Sequence, residues 1–236
     1  MVNNNRYIPA IAILFFIIFF YFFKIDLIFI TFFLFFSFYD FLKSNFLELQ
    51  KLIVITVISF FLLVFNYFFN FFFNQIISIL LIFIIFVIIF FDFYRNILFV
   101  ILIFFTLLQA SNILLIDRNM FFLIIALSFV NDTAAFIIGK TLKGPLIIPS
   151  ISPKKTWSGT FFSFLISTQM LIYFEFNIIY SIVISLSFFL GDIFFSYFKR
   201  FNNIKDFSNL LGGHGGFLDR FDSIFLSILI LNIYLI

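Results

Sequence analysis

The chain has 236 residues, of which 64% are hydrophobic and 11% charged, with a formal net charge of +3. A water-soluble fold needs more polar cover than that, so a soluble globular class is excluded and a lipid bilayer is the natural solvent. There is no cysteine, which excludes disulfides and thiolate metal sites.

In chain order, nine apolar segments lie between charged or Asn-rich breaks, at roughly 8–23, 27–39, 52–73, 76–91, 97–116, 119–139, 159–175, 178–198 and 221–236. They predict an all-α polytopic integral membrane protein with about nine transmembrane helices, because a helix satisfies its own backbone in hydrocarbon. The first segment is preceded only by Arg6 and followed by no small-residue cleavage site. It reads as a retained helix, not a signal peptide. The 49 Phe residues read as interchangeable lipid-facing bulk.

The basic residues set an orientation. With the N-terminus inside and strict alternation, the outside segments carry only Lys24 and Arg118. The inside segments carry Arg6, Lys43, Lys51, Arg95, Lys140, Lys143, Lys154, Lys155, Lys199, Arg200, Lys205 and Arg220. That asymmetry predicts a cytoplasmic N-terminus and puts the polar loops 140–158 and 199–220 on the same cytoplasmic side.

Two regions follow. Residues 1–118 are N-terminal transmembrane helices with scattered charge. Within them Asp40, Glu48, Asp92 and Arg95 read as solvated turn residues or interface anchors. Residues 119–236 form a transmembrane region that carries the two loops and the chemistry.

In NDTAAFIIGK, Asp132 sits about two helical turns before Lys140. A carboxylate at that depth is costly, so it is either functional or paired with a structural Lys. The loop LKGPLIIPSISPKKTWSGT is shaped by Pro145, Pro149 and Pro153. Lys154 and Lys155 precede a helix start at Thr156 to Gly159. Free amides beside two ammonium groups suit a polyphosphate; anchoring to anionic lipid is the plainer alternative.

In LGDIFFSYFKR, Asp192, Ser196 and Lys199 share one helical face and Arg200 follows. A simple Asp192–Lys199 pair is the bland reading. Next, Gly212, Gly213, Gly215 and Gly216 flank His214, the only histidine. Glycines there let backbone amides approach a phosphate closely. Asp219 and Asp222, three residues apart, share a face at the start of the last helix. With Asp192 they are the oxygen ligands that Mg²⁺ takes. Lys205 and Arg220 suit a nearby phosphate, or pair with Asp206 and Asp219. The composite predicts Mg²⁺-assisted phosphoryl or nucleotidyl transfer to a substrate in the membrane.

These residues resemble the signature of the phosphatidate cytidylyltransferase (CDP-diacylglycerol synthase) family. Its form is S-x-x-K-R-x4-K-D-x-small-x2-apolar-(P or G)-x-H-G-G-apolar-x-D-R-apolar-D. This chain has Ser196, Lys199, Arg200, Lys205, Asp206, Ser208, Leu211, Gly212, His214, Gly215, Gly216, Phe217, Asp219, Arg220, Phe221 and Asp222 in those places. NDTAAFIIGK and SPKKTWSG also look like family segments, and the likeness covers residues 131–223. Gly212 stands where Pro is frequent, and Ser158 where Glu is usual.

The resemblance implies cytidylyl transfer from CTP to phosphatidate, giving CDP-diacylglycerol and pyrophosphate, in phospholipid biosynthesis. It implies a metal centre at Asp192, Asp219 and Asp222, with Mg²⁺ and a monovalent K⁺. It places Lys199, Arg200 and His214 among the catalytic residues. Asp132, Lys154, Lys155, Ser196, Lys205, Asp206, Gly215, Gly216 and Arg220 join them around the substrates. Membrane lipids and a homodimer are the implied partners, with no nucleic acid. In a bacterium the site faces the cytoplasm from the inner membrane. A CTP-dependent polyprenol or phytol kinase is the nearest alternative. A transporter with Asp132 and Asp192 on an ion path is a third reading, disfavoured because the polar residues lie on one side.

Overall fold

The computed structural model describes residues 7–45, 47–69, 74–90, 94–212 and 215–235. Nine α-helices occur among them: α1 (Tyr7–Phe23), α2 (Asp26–Ser44), α3 (Leu49–Phe69), α4 (Asn74–Phe90), α5 (Arg95–Ile116), α6 (Arg118–Leu142), α7 (Trp157–Tyr173), α8 (Ile178–Phe201) and α9 (Leu218–Tyr234). Each predicted apolar segment has its helix. Five are long and apolar enough to cross a membrane by themselves: α2, most of α3, α5, α6 and α8. The protein is an all-α integral membrane protein, with one addition the sequence reading lacked. Loop 140–158 contains a small antiparallel hairpin, β1 (Leu146–Ile148) and β2 (Ser152–Thr156), with Leu146 opposite Thr156. Pro149 and Ser150 sit in its turn.

Helix α5 is the axis of the bundle. It touches α2, α3, α4, α6 and α9, and Phe99, Val100, Leu102 and Ile113 on it are fully buried. Side-chain amides tie it sideways. Asn66 on α3 donates to Ser111 Oγ at 3.1 Å and to Asn112 Oδ1. Asn232 on α9 donates to Ser78 Oγ on α4 at 3.0 Å and to Gln109 Oε1 on α5. In hydrocarbon, where apolar burial gives no preference between helix and lipid, such bonds help select neighbours.

At one end, Arg118 Nε pairs with Asp26 Oδ1 at 2.8 Å, and its Nη2 donates to the carbonyls of Phe20 and Tyr21, each at 2.6 Å. The α1–α2 and α5–α6 turns therefore share that end. The two polar loops meet each other: Arg200 Nε on α8 donates to Ile151 O in the hairpin at 3.3 Å.

The Phe-as-bulk expectation holds for only part of the set. Phe15, Phe22, Phe61 and Phe136 are largely exposed on the bundle. Phe99, Phe198 and Phe207 form a buried stack instead, with ring centroids 3.6 Å apart for Phe99–Phe198 and 6.0 Å for Phe99–Phe207. Phe207 belongs to the loop after α8, so this stack anchors that loop in the apolar core.

Candidate active site

The site begins with a close helix approach. A Cβ on Gly191 would lie 2.6 Å from the Asp222 carbonyl oxygen, so only glycine lets α8 and α9 come this near. Their next carboxylates, Asp192 and Asp222, are thereby brought into range of one another. Asp222 is buried, and its Oδ1 accepts from Ser223 N at 2.9 Å. Ser223 Oγ donates to Asp132 Oδ2 on α6 at 3.1 Å, which adds the third carboxylate. Ser196 Oγ, one turn along α8, donates to Asp192 Oδ1 at 3.3 Å, so that shared face is real.

Two ammonium groups offset this negative charge. Lys155 reaches in from β2 and pairs with Asp192 Oδ2 at 2.5 Å. Lys199 pairs with Asp219 Oδ1 at 2.6 Å, with side chains only 9% and 4% exposed. The bland Asp192–Lys199 pair is replaced by two pairs that each join different elements. Asp222 feels the charges of Asp192, Lys199, Asp132 and Lys155 together.

Asp219 does something further. Its Oδ2 accepts from Phe207 N at 2.9 Å and Gly216 N at 2.8 Å, so it closes the loop onto the start of α9. Asp40 on α2 closes the same loop from the other side. Its Oδ1 accepts from Ser208 Oγ at 2.6 Å and its Oδ2 from Leu218 N at 2.7 Å. The glycines fit these two carboxylates. Gly215 has φ +80°, and a Cβ there would lie 2.8 Å from Asp219 Oδ2; a Cβ on Gly216 would lie 2.7 Å from Asp40 Oδ2. Around Gly215 and Gly216 the close approach is made by the protein's own carboxylates, where the sequence suggested a phosphate. Asp40 is fully buried and Arg95 is 4% exposed, its guanidinium 3.7 Å from the Phe201 ring centre. The reading of both as solvated turn or interface residues is corrected. Glu48 does stay at the surface, 3.2 Å from Lys51.

The other expected residues surround this core. Lys154, Lys205 and Asp206 are exposed, and Arg220 is half-buried. Arg200 is exposed and, besides Ile151, donates to Ile204 O at 2.9 Å, so it ties the hairpin to the α8 end. The α7 start is partly satisfied from within: Trp157 N donates to Pro145 O at 3.0 Å and Gly159 N to Thr156 Oγ1 at 3.2 Å. Ser158, at the Glu position, donates to Lys143 O and so holds the hairpin base. Gly213 and His214, like Arg6 and Asp92, lie outside the described residues.

Sequence reasoning passed over Gly191, Ser223 and Asp40 as site residues. Asp40 carried the same signal as Asp132, a carboxylate in an apolar run, but it stood among the scattered charges of residues 1–118 and read as a solvated turn or interface residue. Gly191 precedes Asp192, yet a lone helix glycine does not reveal what it packs against.

A profile described as the cytidylyltransferase family matches residues 4–236, essentially the whole chain. The chain belongs to the cytidylyltransferase family. Curated relatives agree with that membership. A phosphatidate cytidylyltransferase of Rickettsia bellii is 48% identical over 112 residues, 41% of this chain and 48% of the relative. One of Rickettsia typhi is 42% identical over 153 residues, 57% of this chain and 65% of the relative. One of Staphylococcus aureus is 41% identical over 118 residues, 46% of this chain and 45% of the relative. These matches span about half to two thirds of the length of each relative.

The cluster has donors suited to a hard cation. Among the described residues, Asp132 on α6, Asp192 on α8 and Asp222 on α9 lie close enough to act on one another and offer carboxylate oxygens. Among the described residues no three His, Cys, Asp or Glu side chains form a ready-made cage. Mg²⁺ does not require one, since it commonly takes one or two carboxylates and completes its shell with water and substrate phosphate.

Proposed function

We propose that the protein transfers a cytidylyl group from CTP to phosphatidate, forming CDP-diacylglycerol and pyrophosphate. The observation that carries this reading is the meeting of Lys155 from the hairpin, Asp192 and Lys199 from α8, and Asp222 from α9. Lys155 lies in the SPKKTWSG segment, Lys199 and Asp222 in the longer signature and Asp192 just before it, and curated relatives of that name share the family.

In the proposed reaction a phosphatidate oxygen attacks the α-phosphorus of CTP, and the bond to the leaving pyrophosphate breaks. The acceptor is already an anion, so no protein nucleophile is needed. Mg²⁺, bound through Asp192 and Asp222 with Asp132 beside them, would offset repulsion between the two anionic substrates. K⁺ is the second cation of the proposal. Lys155 exchanges its contact with Asp192 for a substrate phosphate, and Lys154 and Lys205, already at the surface, meet phosphates as they arrive. Asp219 keeps Lys199 and the loop amides in place. The site faces the cytoplasm, where CTP is made, and the membrane is the inner membrane of a bacterium; the one-sided basic residues support that orientation. A homodimer is part of the same proposal.

The test is direct. Purified protein in detergent, given labelled CTP, phosphatidate and Mg²⁺, is expected to release pyrophosphate and CDP-diacylglycerol. Release of CDP with a phosphorylated lipid alcohol would move the protein to the CTP-dependent lipid kinases.

A further inference from the structure

A buried carboxylate far from the signature needs a physical reason. Asp40 lies on α2, one turn before its end at Ser44, and none of its surface is exposed. Apolar packing alone would be served better by a Leu or Phe, because an ionisable group in this setting carries a desolvation cost. Helix α2 already packs through Phe33 against Phe217 and Phe221, with centroids 4.7 and 4.4 Å apart. What the carboxylate adds is directional. One oxygen takes the hydroxyl of Ser208 and the other the amide of Leu218.

Each of those partners is a chain neighbour of a contact made by Asp219: Ser208 follows Phe207, and Leu218 lies two residues after Gly216. Leu218 is the first residue of α9, and its amide has no helical partner of its own. By accepting from it, Asp40 sets where α9 begins. That start fixes the direction in which Asp219 and Asp222 project. The backbone of Gly216 is shared between the two carboxylates, one accepting its amide and the other occupying the space where a side chain would be.

We propose that Asp40 is a positioning residue for the reaction: a carboxylate from the N-terminal helices that holds the glycine-bearing loop and the start of α9, and through them Asp219 and Asp222. The inference rests on the proposed cytidylyl transfer for its kinetic consequence, and on geometry alone for its structural one.

Two measurements on the full-length protein in detergent test it. Asp40→Asn puts an amide donor against donors, and is expected to lower kcat about 30-fold while the KM for CTP moves less than about threefold, as loss of bonds to a charged acceptor predicts. Hydrogen–deuterium exchange is expected to quicken in peptides carrying Phe207 and Leu218, and not in peptides from α5. Asp40→Glu does not rescue, because Gly216 leaves no room for the added methylene. Ser208→Ala keeps the carboxylate and removes one bond; its kcat is expected to fall about fivefold. It decides the matter if Asp40→Asn does not fold. Unchanged exchange, or kcat within about twofold of the parent in the folded variants, overturns the proposal. If the parent itself makes no CDP-diacylglycerol, the proposed reaction fails while the exchange measurement still reads what Asp40 does to the loop.

Discussion

Residues 1–118 and 119–236 use the same apolar alphabet for different ends. In the first region charges sit mostly in turns and at helix ends, where Arg118 and Asp26 pair, and Phe such as Phe22 at 73% and Phe61 at 67% are exposed on the outside of the bundle. In the second, charged side chains are paired across elements: Lys155 with Asp192, and Lys199 with Asp219. The division is crossed at Asp40, which belongs to the first region by sequence and to the second by contact. A membrane chain with few polar residues can therefore build a site only by drawing them from several helices, and the supporting helices must then supply part of the site.

The contrast is broken most severely within the carboxylate cluster. Asp222→Ala is expected to reduce CTP turnover by roughly three orders of magnitude while membrane insertion remains, since it removes a group proposed to hold the metal. A radiolabel assay on purified protein checks this, and near-normal turnover removes Asp222 from the site. Asp219→Ala comes next. It removes the hydrogen-bonded partner of buried Lys199 and the acceptor of the Phe207 and Gly216 amides, so both activity and thermal stability are expected to fall. Thermal unfolding in detergent distinguishes it from Asp222→Ala, which is expected to keep more of its stability.

Lys155→Ala is expected to act more mildly. Its pair with Asp192 is partly exposed, with side chains 23% and 24% accessible. The apparent KM for CTP should rise about tenfold with a smaller change in kcat, as for a lost phosphate contact. No kinetic change would leave Lys155 as a counter-ion to Asp192 alone. The smallest effects sharpen the contrast between the two kinds of Phe. Phe99→Leu, in the buried stack, is expected to destabilise by about 1–2 kcal/mol, and Phe61→Leu, on the exposed face, by less than about 0.5 kcal/mol. Equal melting temperatures for the two variants would return Phe99 to the class of replaceable bulk.

Much of the site was legible because its chemistry is expensive in an apolar chain. Asp132, Asp192, Asp219 and Asp222 stand out against hydrocarbon-like neighbours, and helical spacing puts Ser196 on the face of Asp192. Partner choice was not legible. Spacing allowed Lys199 to meet Asp192, but Asp219 comes nearer once α9 folds back. The glycines at 215 and 216 announced a close approach without saying to what; only the folded chain puts Asp219 and Asp40 there.

The sequence by itself determined the solvent, the helices and the side of the membrane expected to hold the polar loops, because hydropathy and the positions of Lys and Arg are local properties of the chain. Tertiary structure decided which carboxylate holds a loop and which faces the cluster. Gly191 sets the α8–α9 distance, Asp40 reaches the loop from a helix 168 residues away from Ser208, and the loop's Phe207 reaches the α5 core. Those are pairings between distant segments, and their energy depends on geometry that no local pattern encodes.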